Sequence, residues 1–173
     1  MWGRIKRIFK HGWFDDASTQ RVIAPDVLAR LAQRVTDSER RHSGELRIYV
    51  EAGLPLSYLW SDAPTRQITR ERALDVFSEL GVWNTAHNNG VLIYLLLAEQ
   101  VIEVVADRGL NDLIEPQVWQ SLVSSMGAEF RQGYFEEGLT HALDEVSALL
   151  VRHFPLTAGQ VNPNELPDAP HLR

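Results

Sequence analysis

Glu45, Asp107 and Asp112, with Asn88 and Asn89 as neutral oxygen donors, have the composition of a hard-cation site suited to Ca2+ or Mg2+. Their spacing matches no EF-hand loop. A structural reading stands beside the cation site: Asn89 and Gly90 form a turn, Asp107 pairs with Arg108 or Arg131, and Asn111 caps the next helix. His87 is the neutral-pH base nearest to these groups. Trp83, just ahead of them, either stacks on a ligand or plugs the core. The six histidines form no HxxxH or HExxH pair, and the GxSxG, P-loop and GxGxxG patterns do not occur. Zinc, serine-nucleophile and dinucleotide chemistry therefore lack their usual carriers.

The stretch 88–110, NNGVLIYLLLAEQVIEVVADRGL, must bring these groups together. It predicts an antiparallel hairpin with strands over 91–97 and 101–106 across the turn Ala98, Glu99, Gln100. Val91 then faces Asp107 and Gly90 faces Arg108, so Asn88, Asn89, Gly90, Asp107, Arg108 and Gly109 line one rim. An earlier strand over 45–50 alternates Leu46, Ile48 and Val50 with Arg47 and Tyr49. It leads to the hairpin through a helix over 65–80 with Ile68, Ala73, Val76, Phe77 and Leu80 inward. In that helix Arg66, Arg70, Glu71, Arg72, Asp75 and Glu79 face outward. A right-handed crossover makes the first two strands parallel, which brings Gly44 and Glu45 to the same rim.

Helices are also predicted over 25–41, through Val27, Leu28, Leu31 and Val35, and over 116–131 and 134–154. The long connection 51–64 packs Leu54, Leu56, Tyr58, Leu59 and Trp60 down as a lid. The expected architecture is an α/β/α sandwich, a small mixed sheet flanked by helices on both faces. It spans 21–154, between a basic amphipathic segment (1–20) and a Pro-rich C-terminal arm (155–173) with Pro155, Pro163, Pro167 and Pro170.

The 173 residues, 45% of them hydrophobic, suffice for one domain with a sizeable core. With no cysteine there is neither a disulfide framework nor a thiolate site. A net charge of −6 repels phosphate backbones, so no nucleic-acid partner is expected. No apolar run reaches the length of a membrane span. On a helical wheel Trp2, Ile5, Ile8, Phe9 and Trp13 fall opposite Arg4, Lys6, Arg7 and Lys10. This segment is either an interfacial anchor for an anionic membrane or partner groove, or a terminal helix docked on its own domain.

The NNG lead-in to an apolar strand, the short turn, Gly109 and Leu110 after the second strand, and FRQGYFEEGL before a last helix resemble the TPM domain. That family is named for a thylakoid lumen protein, a photosystem II repair protein and a modulator of an acetylcholine receptor. The resemblance covers about 28–154 and implies helices on both sides of a sheet, with a shallow acidic site at the rim that binds a divalent cation. It also implies a weak acid-phosphatase activity, as proposed for plant relatives. Asn88, Asn89, Gly90, Gly109 and Leu110 match the motif. Asp107 stands where many members have glycine, Asn111 where many have glutamate, and Arg108 adds a positive charge. The expectation is a cytoplasmic bacterial variant acting as a protein-interaction module, with Asp107, Glu45 and Asp112 as metal ligands. Two rival expectations are a metal-dependent acid phosphatase and a peripheral membrane adaptor.

Overall fold

A computed structural model describes residues 7, 9–11 and 22–173. Helix α1 (Pro25–Glu39) begins on a proline, whose fixed φ suits a first turn, and buries Leu31 and Val35, one turn apart. There follow β1 (Leu46–Glu51), the single turn α2 (Leu56–Leu59), α3 (Thr65–Glu79) and β2 (Val91–Leu96). A 3-10 turn (Leu97–Glu99) leads to β3 (Val101–Ala106), the short α4 (Arg108–Asn111), α5 (Pro116–Arg131), α6 (Phe135–His153) and β4 (His171–Leu172).

The strands lie in the order β3-β2-β1-β4, with β1 parallel to β2 and β4, and β3 antiparallel to β2. Being central, β2 has no exposed residue, which is why VLIYLL carries no polar alternation. One face of the sheet presents Leu46, Ile48, Val50, Ile93 and Leu95 to a core that includes Val35 of α1, Met126 and Phe130 of α5, and Leu143 and Leu150 of α6. The other face presents Tyr49, Leu92, Tyr94 and Leu96 to Ile68, Ala73 and Val76 of α3. The fold is the expected α/β sandwich.

Four details differ from expectation. The hairpin pairs Val91 with Ala106, so Asp107 lies opposite Gly90 rather than Val91, and Arg108 is not opposite Gly90. The cause is a connection of four residues instead of three: Leu97 leaves the ladder to start the 3-10 turn, and Gln100 closes it at φ 52. The arm supplies a fourth strand, two residues long, at an edge where prolines are tolerated. Arg72 points inward and is buried, not outward. In the connection 51–64, Leu54 and Leu59 are buried while Leu56 and Trp60 stay exposed.

Of the N-terminal wheel, Trp2, Arg4, Ile5, Lys6, Ile8 and Trp13 lie outside the described residues. Arg7 is buried and donates to the carbonyls of Leu59, Ser61 and Ala63. Lys10 and His11 meet Glu99 at 2.7 and 2.8 Å. His11 Nδ1 accepts from Leu54 N–H at 2.9 Å, which leaves the ring proton on Nε2 to donate to Glu99. Phe9 is exposed, so for these residues the polar groups face the domain. No helix of the described residues is long and apolar enough to cross a membrane.

Candidate functional site

The rim at the start of β1 and β2 forms as the topology requires. Val91 N–H donates to Glu45 O at 2.8 Å and Asp107 N–H to Gly90 O at 2.9 Å, setting Glu45, Gly90 and Asp107 in one row. Asn88, at φ 52, takes Gly109 N–H on its carbonyl (2.8 Å) and the Arg108 guanidinium on its side chain (3.0 Å). Asn89 is fully buried, its amide donating to Ser43 Oγ and its backbone N–H to Thr85 Oγ1. A Cβ on Gly90 would lie 1.9 Å from Val82 O, and one on Gly109 2.5 Å from Asn88 O. Both glycines are therefore fixed by close backbone approach. Trp83 stays about half exposed, because Val82 is the residue that packs inward. His87 is exposed at a hollow of about 410 Å3 shared with His153, Glu165 and Ser43.

Two of the three rim carboxylates each accept a backbone hydrogen bond through one oxygen. Asp107 caps α4 by accepting Arg108 N–H at 2.7 Å, Glu45 Oε2 accepts Leu166 N–H at 3.0 Å, and Asp112 is exposed at the end of α4. Glu45 Oε1 and Asp107 Oδ2 remain buried without a hydrogen-bond partner. Among the described residues, no three His, Asp or Glu side chains could share a metal ion. Glu45, Asp107 and Asp112 thus do not fit a divalent cation held by all three.

A second constellation runs along β1. Glu45, Arg47, Tyr49 and Glu51 alternate onto one face, and all four are buried. Glu51 accepts from Arg72 Nε and Nη2 at 3.1 Å and from Tyr94 OH at 2.6 Å. Arg72 also reaches Glu79 at 3.1 Å and lies over the rings of Tyr49 and Tyr58. Burial disfavours the Arg72 charge, but the bonds to Glu51 outweigh it and raise its pKa; burial and Glu51 together raise Tyr94. At the outer edge, Glu39 Oε1 accepts Leu46 N–H at 2.8 Å. Burial pushes Glu39 up to about 8: the Leu46 bond opposes the rise, and the nearby Glu45 and Asp168 add to it. His42, inside the same region and bonded to Ser38 at 2.7 Å, is pulled down to about 4 by burial.

The opposite edge, β3, borders a groove of about 710 Å3 between α3 and α5. Val104, Ala106, Ile114, Trp119 and Val123 give it apolar walls, Arg66, Arg70 and Glu71 line the α3 side, and Glu103 lies on the β3 side. Because Asp107 bonds inward to Gly90, the antiparallel alternation turns the amides of Ile102, Val104 and Ala106 outward, those of Val104 and Ala106 at this groove. Arg70 covers one of them, donating to Val104 O at 2.7 Å while pairing with Glu103 at 3.3 Å.

The rim residues were readable from hairpin and crossover logic. Arg72, Glu51 and Tyr94 were not, because a single arginine on a charged helix looks solvated. The available signal was the polar alternation of Glu45, Arg47, Tyr49 and Glu51 on a strand that the fold must cover.

A helix-flanked mixed sheet with two glycine-locked rim loops defines the class, and the chain belongs to the TPM domain family: the family model, described as TPM domain, matches residues 17–149. No curated protein matches. Among solved structures, the BA42 protein from the psychrophilic bacterium Bizionia argentinensis is 26% identical at TM-score 0.71, over 86% of this chain and 94% of that one. The N-terminal domain of a protein from P. gingivalis has the same fold at 19% identity and TM-score 0.55, over 83% of this chain and 94% of that one.

Proposed function

We propose that this TPM domain is a docking module that takes up an extended, acidic segment of a partner protein in the groove beside β3. The observation that carries the reading is an open strand edge with outward amides lying at the floor of a groove with apolar walls. Extended peptides add to such edges through main-chain hydrogen bonds, with flanking pockets selecting side chains. Arg66 forms no ion pair among the described residues, and Arg70 needs only to swing from Val104 O to expose that carbonyl. An acidic side chain on the incoming strand would be met by both guanidinium groups, in competition with Glu103 and Glu71 of the same groove.

Amide-shift titration with alternating Glu/Val peptides, and with Lys/Val peptides as controls, tests this reading. Shifts should cluster at residues 101–106 and at the Trp119 indole, with the acidic peptides binding at least about tenfold tighter and Arg70→Glu abolishing the preference. Equal binding of both peptide sets, or shifts confined to other surfaces, would refute the groove.

A further inference from the structure

The Pro-rich arm does more than close the sheet; it reads β1 one polar group at a time. Leu166 N–H meets Glu45 at 3.0 Å, and Ala169 O accepts from Arg47 at 3.2 Å. The His171 ring stacks on Tyr49 with centroids 4.8 Å apart, and Arg173 reaches Glu51 at 3.6 Å. The backbone joins as well: Arg173 N–H donates to Val50 O and Ala52 N–H donates to Arg173 O, at 2.9 and 2.7 Å. Every member of the stripe Glu45, Arg47, Tyr49, Glu51 is matched in order. Yet no residue from 155 to 173 is fully buried, and the family match ends at residue 149. The family match therefore stops short of the arm, which lies along this stripe at the sheet edge.

We infer that the β1 stripe is a peptide-recognition site, held in cis by the arm, that accepts in trans an extended segment carrying a ring two residues before a guanidinium. The requirement follows from the bound arm: strand addition to Val50 and Ala52 sets the register, a flat ring is selected by the Tyr49 face, and a cation is selected by Glu51. This site is separate from the β3 groove and stands or falls independently of it. A tethered arm competes at an effective concentration in the millimolar range, so the cis contact sets the threshold that a trans ligand must exceed.

The test uses the full chain with a protease sequence replacing residues 157–160, an exposed turn closed by Gln160 N–H on Thr157 O. After cleavage, a fluorescent peptide of sequence 161–173 is added and followed by anisotropy. A second peptide keeps only the residues at positions 166, 171 and 173, in a Thr/Ala background. Both should replace the resident arm, the second within roughly tenfold of the first, and the uncut chain should bind at least roughly 100-fold more weakly. Peptides with Arg173→Glu or His171→Ala should lose roughly tenfold or more. If these variants bind like the parent, or if no peptide enters a cleaved chain that still melts cooperatively, the inference fails. Should losing the arm melt the domain, the melting temperature must climb with added peptide; indifference to millimolar peptide would equally overturn the site.

Discussion

Arg70 and Arg72 stand two residues apart on α3, roughly 200° around its axis, and serve opposite edges of one sheet. Arg70, exposed, pairs with Glu103 and guards the outward carbonyl of β3. Arg72, fully buried, fixes Glu51 at the end of β1, where the arm then adds a strand. Bare edges invite unwanted pairing, and the molecule meets that hazard in two ways: a movable charge on one side and a covering strand on the other. The guarded edge can yield to a ligand by moving a side chain. The covered edge yields only when a backbone segment leaves.

Removing Arg72 should separate the two edges most sharply. Arg72→Ala leaves Glu51 buried without its main counter-charge and should lower stability by about 3–5 kcal/mol in urea denaturation, whereas replacing both members by apolar residues should cost much less. A loss below about 1 kcal/mol would mean that water or Arg173 compensates Glu51.

The covered edge should also respond to pH. Glu39 is raised to about 8 in the fold against an ordinary value of 4.5, so its contribution is fully present below 4.5 and is lost as pH rises through 8. His42, lowered to about 4 from 6.5, acts in the other direction, its contribution being lost as pH falls from 6.5 towards 4. Between pH 6.5 and 8 the Glu39 effect is no longer opposed by His42, and the melting temperature should fall there. In Glu39→Gln that decline should flatten; an unchanged slope would remove Glu39 as its source.

The smallest stability effect belongs to the open edge. Arg70→Ala should cost about 1–2 kcal/mol, less than Arg72→Ala because Arg70 itself is exposed although its partner Glu103 is buried, while freeing Val104 O for strand addition between molecules. Sedimentation velocity should then show association that grows with concentration. If Arg70→Ala remains monomeric at high concentration, the guanidinium is not the guard.

Much of this arrangement was legible in the residues. The apolar run of β2, the crossover through α3 and the return of β3 brought Glu45, Gly90 and Asp107 together as periodicity and handedness require. The hairpin register was missed by one residue because Leu97 is as apolar as its neighbours, and nothing in its side chain marks the departure from the ladder. The sequence places Arg72 on a solvated helix face because its partner Glu51 is distant in the chain and lies on a strand whose cover has no local signal. The prolines of the arm dictate an extended chain, but its docking depends on matches at Glu45, Arg47, Tyr49 and Glu51 that become visible only once β1 is an edge.

Arg7 carries one more implication. Its guanidinium donates to three main-chain carbonyls at and just beyond the end of α2, and Lys10 is held by Glu99, so two of the four leading cations are engaged by the protein itself. At about 1 kcal/mol per basic side chain near an anionic leaflet, full withdrawal of both would lower the partition coefficient onto acidic vesicles about thirtyfold, an outcome that sedimentation with such vesicles checks.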